Sequence, residues 1–272
     1  MPELPEVETI RNYLRIGTDE QPAVLGKMIC SAEVLWSRSI AFPSPNEFQN
    51  LISGQTILEI GRRGKYLIFY LSDNKLLVHL RMSGDLFLRS TDDPAAAHDR
   101  VVFHLENSGK LAFNDARKFG RMWLVEDLDQ VIADLGPEPF QTDLAENFYD
   151  RLQATRRQIK PLLLDQSFLA GLGNIYTDEA LFLARIHPKT LSNQISMESS
   201  LELLESIRQV LQEGIQSHGA SIDWVYRGGD FQNHFRVYRQ TGRPCVNCGT
   251  AIERIIIGQR STHFCPTCQR EG

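Results

Sequence analysis

The feature that most constrains this chain lies near its end: Cys245-x2-Cys248-x16-Cys265-x2-Cys268. Each CxxC pair can place two thiolates on one ion, and a short hairpin can bring the pairs together. The spacing therefore predicts a tetrahedral four-cysteine zinc site. Four protein ligands leave no open position for a catalytic water, so a single Zn2+ is expected in a structural role. Two disulfides or an iron–sulfur site are the other readings of the same spacing. The fifth cysteine, Cys30, stands alone in an apolar stretch and reads as buried core. No apolar run approaches the roughly 18 residues of a membrane span. The acidic start, MPELPEVETIRNYLR, lacks the basic-then-apolar plan of a signal peptide. A cytoplasmic chain with no membrane partner is expected.

Charge is unevenly spread. Overall the chain carries 29 Lys and Arg against 34 Asp and Glu, a net of −5, which taken alone disfavours a polyanionic partner. Within the acidic first half, however, residues 62–121 hold 11 basic against 7 acidic residues. The last 46 residues hold 7 against 3. A polyanion responds to a local basic stripe more than to the total charge. Ordinary solvated faces give the same counts.

Residues 1–134 read as one domain. Pro5 suits a first helical turn, Glu6 and Glu8 favour its positive end, and Val7, Ile10 and Leu14 share a face. Short apolar, branched and aromatic runs follow to about residue 125, broken by Gly, Asn and Asp, which predicts an antiparallel sandwich or barrel. LGPEPF, residues 135–140, opens a linker expected over 135–150. A helical domain is expected over 151–233. NFYDRLQATRRQIKPLLLD reads as one helix, bent or ended near Pro161, and NIYTDEALFLARI as a second with Asn174 at its N-cap. A third covers about 197–217. The finger then occupies 234–272, with strands expected in HFRVYRQ and ERIIIGQR. The hairpin tip at Gly258-Gln259-Arg260-Ser261 projects a guanidinium suited to phosphate, or merely a solvated Arg.

Pro2 offers separate chemistry. Removal of Met1 would leave a secondary amine at the terminus, with a pKa near the α-amino range of about 7.7–8.0. Attack of such an amine on a sugar C1′ gives an iminium ion that is cationic without a proton, and elimination at the neighbouring carbons becomes easier. Glu3 and Glu6 would lie close enough to move protons. The same run is also simply a good helix start.

MPELPEVET, GRRGKY, HLRMSG, DARKFG, GLGNIYTDEAL and the four-cysteine tail, taken together and in order, resemble the bacterial formamidopyrimidine-DNA glycosylase family, whose relatives include endonuclease VIII. MPELPEVET favours the formamidopyrimidine branch. The resemblance implies an α+β multidomain fold: an N-terminal β-sandwich with a catalytic first helix, a helix-two-turn-helix domain and the zinc-finger hairpin, with DNA in the cleft between the halves. It implies a bifunctional base-excision repair enzyme. Such an enzyme excises oxidised bases, formamidopyrimidines and 8-oxoguanine among them, from duplex DNA and then cleaves the abasic strand by β,δ-elimination. A nucleoid-associated monomer is expected.

Carried over motif by motif, Pro2 resembles the Schiff-base nucleophile, Glu3 the acid/base, Glu6 a supporting carboxylate and Lys65 a hairpin lysine assisting catalysis at the DNA. Met82, Arg117 and Phe119 resemble residues that fill the gap left by an everted base. Extruding a nucleotide costs a few kcal/mol of lost stacking, which an apolar wedge and a ring partly replace. Asn174 and Arg260 resemble phosphate contacts, the former at a helix N-terminus. Lys118, Lys160 and His98 are further expected DNA contacts. Outside the family, Met82 and Phe119 would read as core residues and Lys65 as a surface turn. Arg81 stands where the family pattern has Gly, Ala116 replaces a Pro, and Lys118 replaces an Arg and loses its fork geometry. The segment over 221–238 is short for the family's lesion-covering loop, and Trp224–Gly229 forms a different lid. An endonuclease VIII-like preference for oxidised pyrimidines and a non-catalytic zinc-containing damage-binding protein are the competing readings.

Overall fold

The computed structural model describes residues 1–18, 22–107, 109–221 and 228–271. The chain divides into two compact units, the first built on Met1–Asp134 and the second on Leu135–Ala220 with Gly229–Gly272.

The first unit opens with helix α1 (Leu4–Ile16), whose buried Leu4, Val7, Ile10 and Leu14 recur every three to four residues. Strand β1 (Ile29–Val34), β2 (Ile40–Phe42), helix α2 (Pro45–Ile52) and β3 (Ile57–Arg63) follow. Next come β4 (Tyr66–Leu71), β5 (Lys75–His79), β6 (Gly84–Arg89), β7 (Asp99–Leu105), β8 (Gly109–Asp115), β9 (Arg121–Val125) and a short helix α3 (Asp129–Ile132). The strands form a four-stranded sheet ordered β1-β7-β8-β6 and a five-stranded sheet ordered β2-β9-β5-β4-β3. All pairings are antiparallel except β2 with β9. Val101, Phe103 and Phe113 of one sheet share a single apolar core with Ile60, Leu67 and Phe69 of the other and with Val7, Ile10 and Leu14 of α1. This is a sandwich with a helix bound into its core, and burial of those side chains is what fixes the start of α1. Cys30 departs from expectation. It lies next to buried Ile29 in β1, alternation turns it outward, and it is exposed.

The second unit holds α4 (Leu144–Gln153), α5 (Ile159–Leu164), α6 (Asn174–Leu183), α7 (Met197–Gln216) and a hairpin of β10 (Glu253–Ile257) and β11 (Arg260–Phe264). Ser196 caps α7 by accepting the Ser199 N–H at 3.1 Å. Tyr176 of α6 stacks on Phe231 with centroids 5.1 Å apart. A Cβ at Gly214 of α7 would come within 2.5 Å of the Tyr176 ring, so the approach of α6 to α7 requires glycine there.

Three local expectations are corrected. Residues 135–150 are no free linker: the Gly136 N–H donates to Gln166 O and the Ala170 N–H to Pro137 O, both at 2.9 Å, and α4 begins at Leu144. The single helix expected over 147–165 is two helices, and Pro161 sits in the first turn of α5, where its missing N–H costs nothing. HFRVYRQ is the end of a 3-10 turn followed by bends and a turn closed by the Gln240 N–H on Val237 O, with Arg239 at φ +58°, rather than a strand.

Candidate active site and nucleic-acid interface

Glu3 is the N-cap of α1, with Pro5 in the first turn. The Glu6 carboxylate accepts the Glu3 backbone N–H at 2.7 Å while the Glu3 side chain accepts the Glu6 N–H, a reciprocal capping box. Both carboxylates are 2% exposed, and Pro2 beside them is buried. The next turn ties α1 to the sheet. Glu8 accepts from Arg62 Nε at 2.8 Å, and Arg62 Nη1 donates to Gly64 O at 3.0 Å. Gly64 and Lys65 make the β3–β4 turn, with Gly64 at φ +57°, so Glu8 and Arg62 hold the hairpin that presents Lys65. Lys65 is 5% exposed. Burial pushes the Glu8 carboxyl up, but Arg62 and Arg11 outweigh it and its pKa falls below 4.5.

Several charges converge on the amino terminus. Burial lowers the pKa of the Met1 terminal amine below its ordinary 8.0; Glu3 and Glu6 act against this, and Lys65 and Arg117 reinforce it. The Met1 amine is thereby biased toward its unprotonated form.

Two loops leave the same end of the β6–β8 ladder, where Gly84 pairs with Asp115. One is the 80–84 turn, closed by the Gly84 N–H donating to Leu80 O at 2.9 Å. It carries Arg81, at φ +56°, and half-buried Met82. The other runs over 116–120 and carries exposed Arg117, Lys118 and Phe119. The Arg117 guanidinium lies 5.2 Å from the Phe119 ring centroid and the Lys118 ammonium 4.1 Å from that of Trp36. His98 is exposed just before β7, its Nδ1 3.4 Å from Arg100 Nη2.

In the second unit, Asn174 is the first residue of α6, and Gly173 rather than Asn174 is the N-cap. The Asn174 side chain instead donates to Ser261 O at 2.9 Å. Lys160 donates to that same carbonyl at 2.9 Å and to Asp178 at 2.6 Å, and Lys160 and Asp178 side chains are both wholly buried. The expected phosphate contact at Lys160 is thereby corrected: its ammonium is an internal counter-ion, closed off from solvent. What it holds is the residue next to Arg260. Arg260 itself is exposed, directly after a two-residue turn in which Gly258 and Gln259 both take positive φ. The Sγ atoms of Cys245, Cys248, Cys265 and Cys268 lie within 4.8 Å of one another, with Cys245–Cys268 at 3.9 Å and Cys248–Cys265 at 3.5 Å. Zn–S bonds of about 2.3 Å at tetrahedral angles require S···S near 3.8 Å, so the four thiolates fit one zinc.

Family models described as the formamidopyrimidine-DNA glycosylase N-terminal domain, its H2TH domain, and a zinc finger found in FPG and IleRS match residues 1–122, 135–225 and 242–270. The formamidopyrimidine-DNA glycosylase of Protochlamydia amoebophila is 44% identical over the whole of both chains. That of Bacillus subtilis is 41% identical over 99% of each. The chain belongs to the formamidopyrimidine-DNA glycosylase family. Among solved structures, the Lactococcus lactis glycosylase bound to DNA containing an abasic site superposes with a TM-score of 0.90 at 39% identity, covering 99% of this chain and 100% of that one. A MutM complex with DNA containing carbocyclic 8-oxo-G gives 0.91 at the same identity and coverage. One structural zinc follows from the finger match and the clustered thiolates.

Four polar residues that anchor this glycosylase's site were not singled out from the sequence. Asp178 takes Lys160 and the His263 N–H, the latter at 2.9 Å, fastening the finger hairpin to α6. Glu179 accepts the backbone N–H groups of Arg236, Val237 and Tyr238 at 2.9–3.1 Å. Those N–H groups are thus satisfied by a carboxylate and not by a ladder, which is why HFRVYRQ is no strand. Asp115 and Ser83 join the two loops of the first unit. The signal was present in part: an adjacent acidic pair in the otherwise apolar IYTDEALF must be buried and partnered. Trp224–Arg227 of the expected lid lie outside the described residues.

Proposed function

We propose that Pro2, exposed as the terminal amine once Met1 is removed, is the nucleophile of a bifunctional DNA glycosylase and abasic-site lyase. The enzyme excises oxidised bases from duplex DNA and cleaves the resulting strand. The observation that carries the assignment of Pro2 is its burial at the start of α1 beside two buried carboxylates. The Pro2 nitrogen attacks C1′ of the damaged nucleotide and the base departs with a proton. Glu3 protonates the sugar ring oxygen as the ring opens, leaving an iminium ion. That ion accepts electrons as C2′ loses a proton and the 3′ phosphate leaves, and a second elimination expels the 5′ phosphate. Glu6, bonded to the Glu3 N–H, keeps Glu3 at the helix start. Lys65, whose charge lowers the pKa of the neighbouring Met1 amine, opposes protonation of the Pro2 amine in the same way and supplies positive charge for the backbone.

Met82, Arg117 and Phe119 occupy the space vacated by the everted nucleotide, with Arg117 bonding the orphaned base. Asn174, Arg260, Lys118 and His98 bind phosphate. The zinc holds the finger that carries Arg260 and takes no part in the chemistry. Full-length similarity to formamidopyrimidine-DNA glycosylases supports oxidised purines as substrates over the endonuclease VIII-like preference. No helix among the described residues is long and apolar enough to cross a membrane, and a nucleoid-associated enzyme of the bacterial cytoplasm is part of this proposal. The test is borohydride trapping on duplexes bearing one abasic site or one oxidised base, with mass spectrometry of the adduct. A covalent adduct at Pro2 is expected. A Pro2→Gly variant should fold and bind but lose most strand cleavage, and cleavage at the wild-type rate would remove Pro2 from the mechanism.

A further inference from the structure

The 80–84 turn and the 116–120 loop share one buried fastening. Asp115, with 0% of its surface exposed, accepts the Ser83 hydroxyl and the Arg117 N–H through Oδ1, the latter at 3.2 Å, and the Gly120 N–H through Oδ2 at 2.7 Å. Ser83 Oγ in turn accepts the Arg117 N–H at 3.1 Å. The base of this knot is rigid. The Asp115 N–H donates to His98 O and Arg100 Nε donates to Asp115 O at 2.8 Å. The glycines beside it cannot be replaced: a Cβ at Gly84 would lie 2.6 Å from Leu80 O, and one at Gly120 would lie 2.2 Å from the Phe113 ring. Bonds to a carboxylate are about twice as strong as neutral ones, and out of water they hold geometry tightly. Outside the knot, Phe119 stands 49% exposed.

We infer that Ser83 and Asp115 form a latch that makes the Met82 turn and the Arg117–Phe119 loop one stiff wedge, so that Ser83 is a positioning residue for extrusion of the damaged base. The inference rests on the reading that Met82, Arg117 and Phe119 fill the gap. A wedge lowers the barrier to eversion only if it keeps its shape against a stacked duplex; each loop alone would yield. The Ser83 hydroxyl is the one side-chain group of the 80–84 turn that reaches the second loop through Asp115. An abasic site has no base to unstack, so its cleavage depends less on the wedge.

The experiment compares single-turnover excision of an oxidised base from a duplex with strand cleavage at a preformed abasic site, using Ser83→Ala, Ser83→Thr, Met82→Ala and Phe119→Ala. Ser83→Ala is expected to slow excision by about tenfold or more while abasic cleavage stays within about twofold. Ser83→Thr, which restores the hydroxyl, should recover excision. A 2-aminopurine beside the lesion should report slower eversion in Ser83→Ala. Asp115→Asn offers a second route, since its NH2 must face either Ser83 and the Arg117 N–H or the Gly120 N–H; the same selective loss is expected. Parallel loss of both activities would overturn the latch, as would unchanged excision in Ser83→Ala while Met82→Ala and Phe119→Ala slow it. Unchanged excision in Met82→Ala and Phe119→Ala would instead overturn the gap-filling reading, and the latch with it.

Discussion

His79 gives the protein an acid sensitivity that can be predicted in size and sign. The residue ends β5 and is 8% exposed. Its Nδ1 accepts the Arg81 N–H at 3.0 Å, and its ring stands edge-on to Tyr66 with centroids 4.7 Å apart. Burial lowers its pKa from 6.5 to about 3; the charges of Arg81 and Lys65 add to this. The folded protein therefore refuses a proton that the unfolded chain accepts. Above about pH 7.5 both states are neutral at this ring and nothing is lost. As the pH falls through 6.5 the unfolded chain is protonated first and stability drops, continuing until the folded ring titrates near 3. At pH 5 the loss from these two pKa values is about 2 kcal/mol.

The perturbation is His79→Asn, whose Oδ1 can replace Nδ1 as acceptor for the Arg81 N–H and does not titrate. Urea unfolding at pH 7.5 and pH 5.0 supplies the free energies, read by tryptophan fluorescence. Trp123, one of three tryptophans, lies 5.8 Å from the Tyr66 ring that packs on His79, so part of the signal comes from this region. Every other acid-sensitive group is common to both proteins and cancels in the difference. Wild type should lose about 2 kcal/mol more than the variant between the two pH values. Equal losses, within about 0.5 kcal/mol, would refute the claim that His79 is held neutral.

Other substitutions probe the rest of the framework. Arg81→Gly relieves a left-handed backbone and should raise stability by about 1 kcal/mol; a lower melting temperature would contradict it. Lys160→Met strands the fully buried Asp178 carboxylate and should cost roughly 3–5 kcal/mol, and an unchanged thermal melt would show that the pair holds nothing. Chelation should release one zinc per chain and abolish duplex binding by unfolding the finger, an expectation that full binding after verified zinc loss would defeat.

How far such features could be read from sequence depends on the range of the forces behind them. The start of α1 was legible because capping and apolar spacing act within one or two turns: Pro5, Glu6, Val7, Ile10 and Leu14 lie where their pattern implies. The sandwich strands were legible because apolar, branched and aromatic runs broken by Gly, Asn and Asp are a local signal, and the strands fall on those runs. The zinc ligands were legible because thiolate spacing alone brings four sulfurs together. Errors fell where a partner distant in sequence decides. HFRVYRQ has strand composition, but Glu179 takes its N–H groups from 57 to 59 positions away. Lys160 looks like any basic residue in a helical run until Asp178 and Ser261 close over it. Cys30 was misplaced by one strand face, the smallest error alternation allows.

The same distinction separates the residues inside each motif. In DARKFG, Arg117 and Phe119 are exposed and available to a duplex, whereas Asp115 is wholly buried and spends every side-chain bond on its own loop pair. In HLRMSG, Met82 faces outward in part while Ser83 and His79 bond inward. In GLGNIYTDEAL, Asn174 keeps partial exposure at the helix start, and Asp178 and Glu179 are turned into the fold. On the proposed function, a motif of this kind is a unit of presentation: one residue meets the ligand and its neighbour fixes the backbone that aims it. Replacing the presenting residue should change chemistry or recognition at little cost in stability. Replacing the anchoring residue should first loosen geometry, and so damage the steps that need a stiff surface before those that do not. Base extrusion is such a step, because the stacked duplex pushes back; elimination at an open abasic sugar is not. The order in which activities fail along an anchor series therefore reports which step each motif serves.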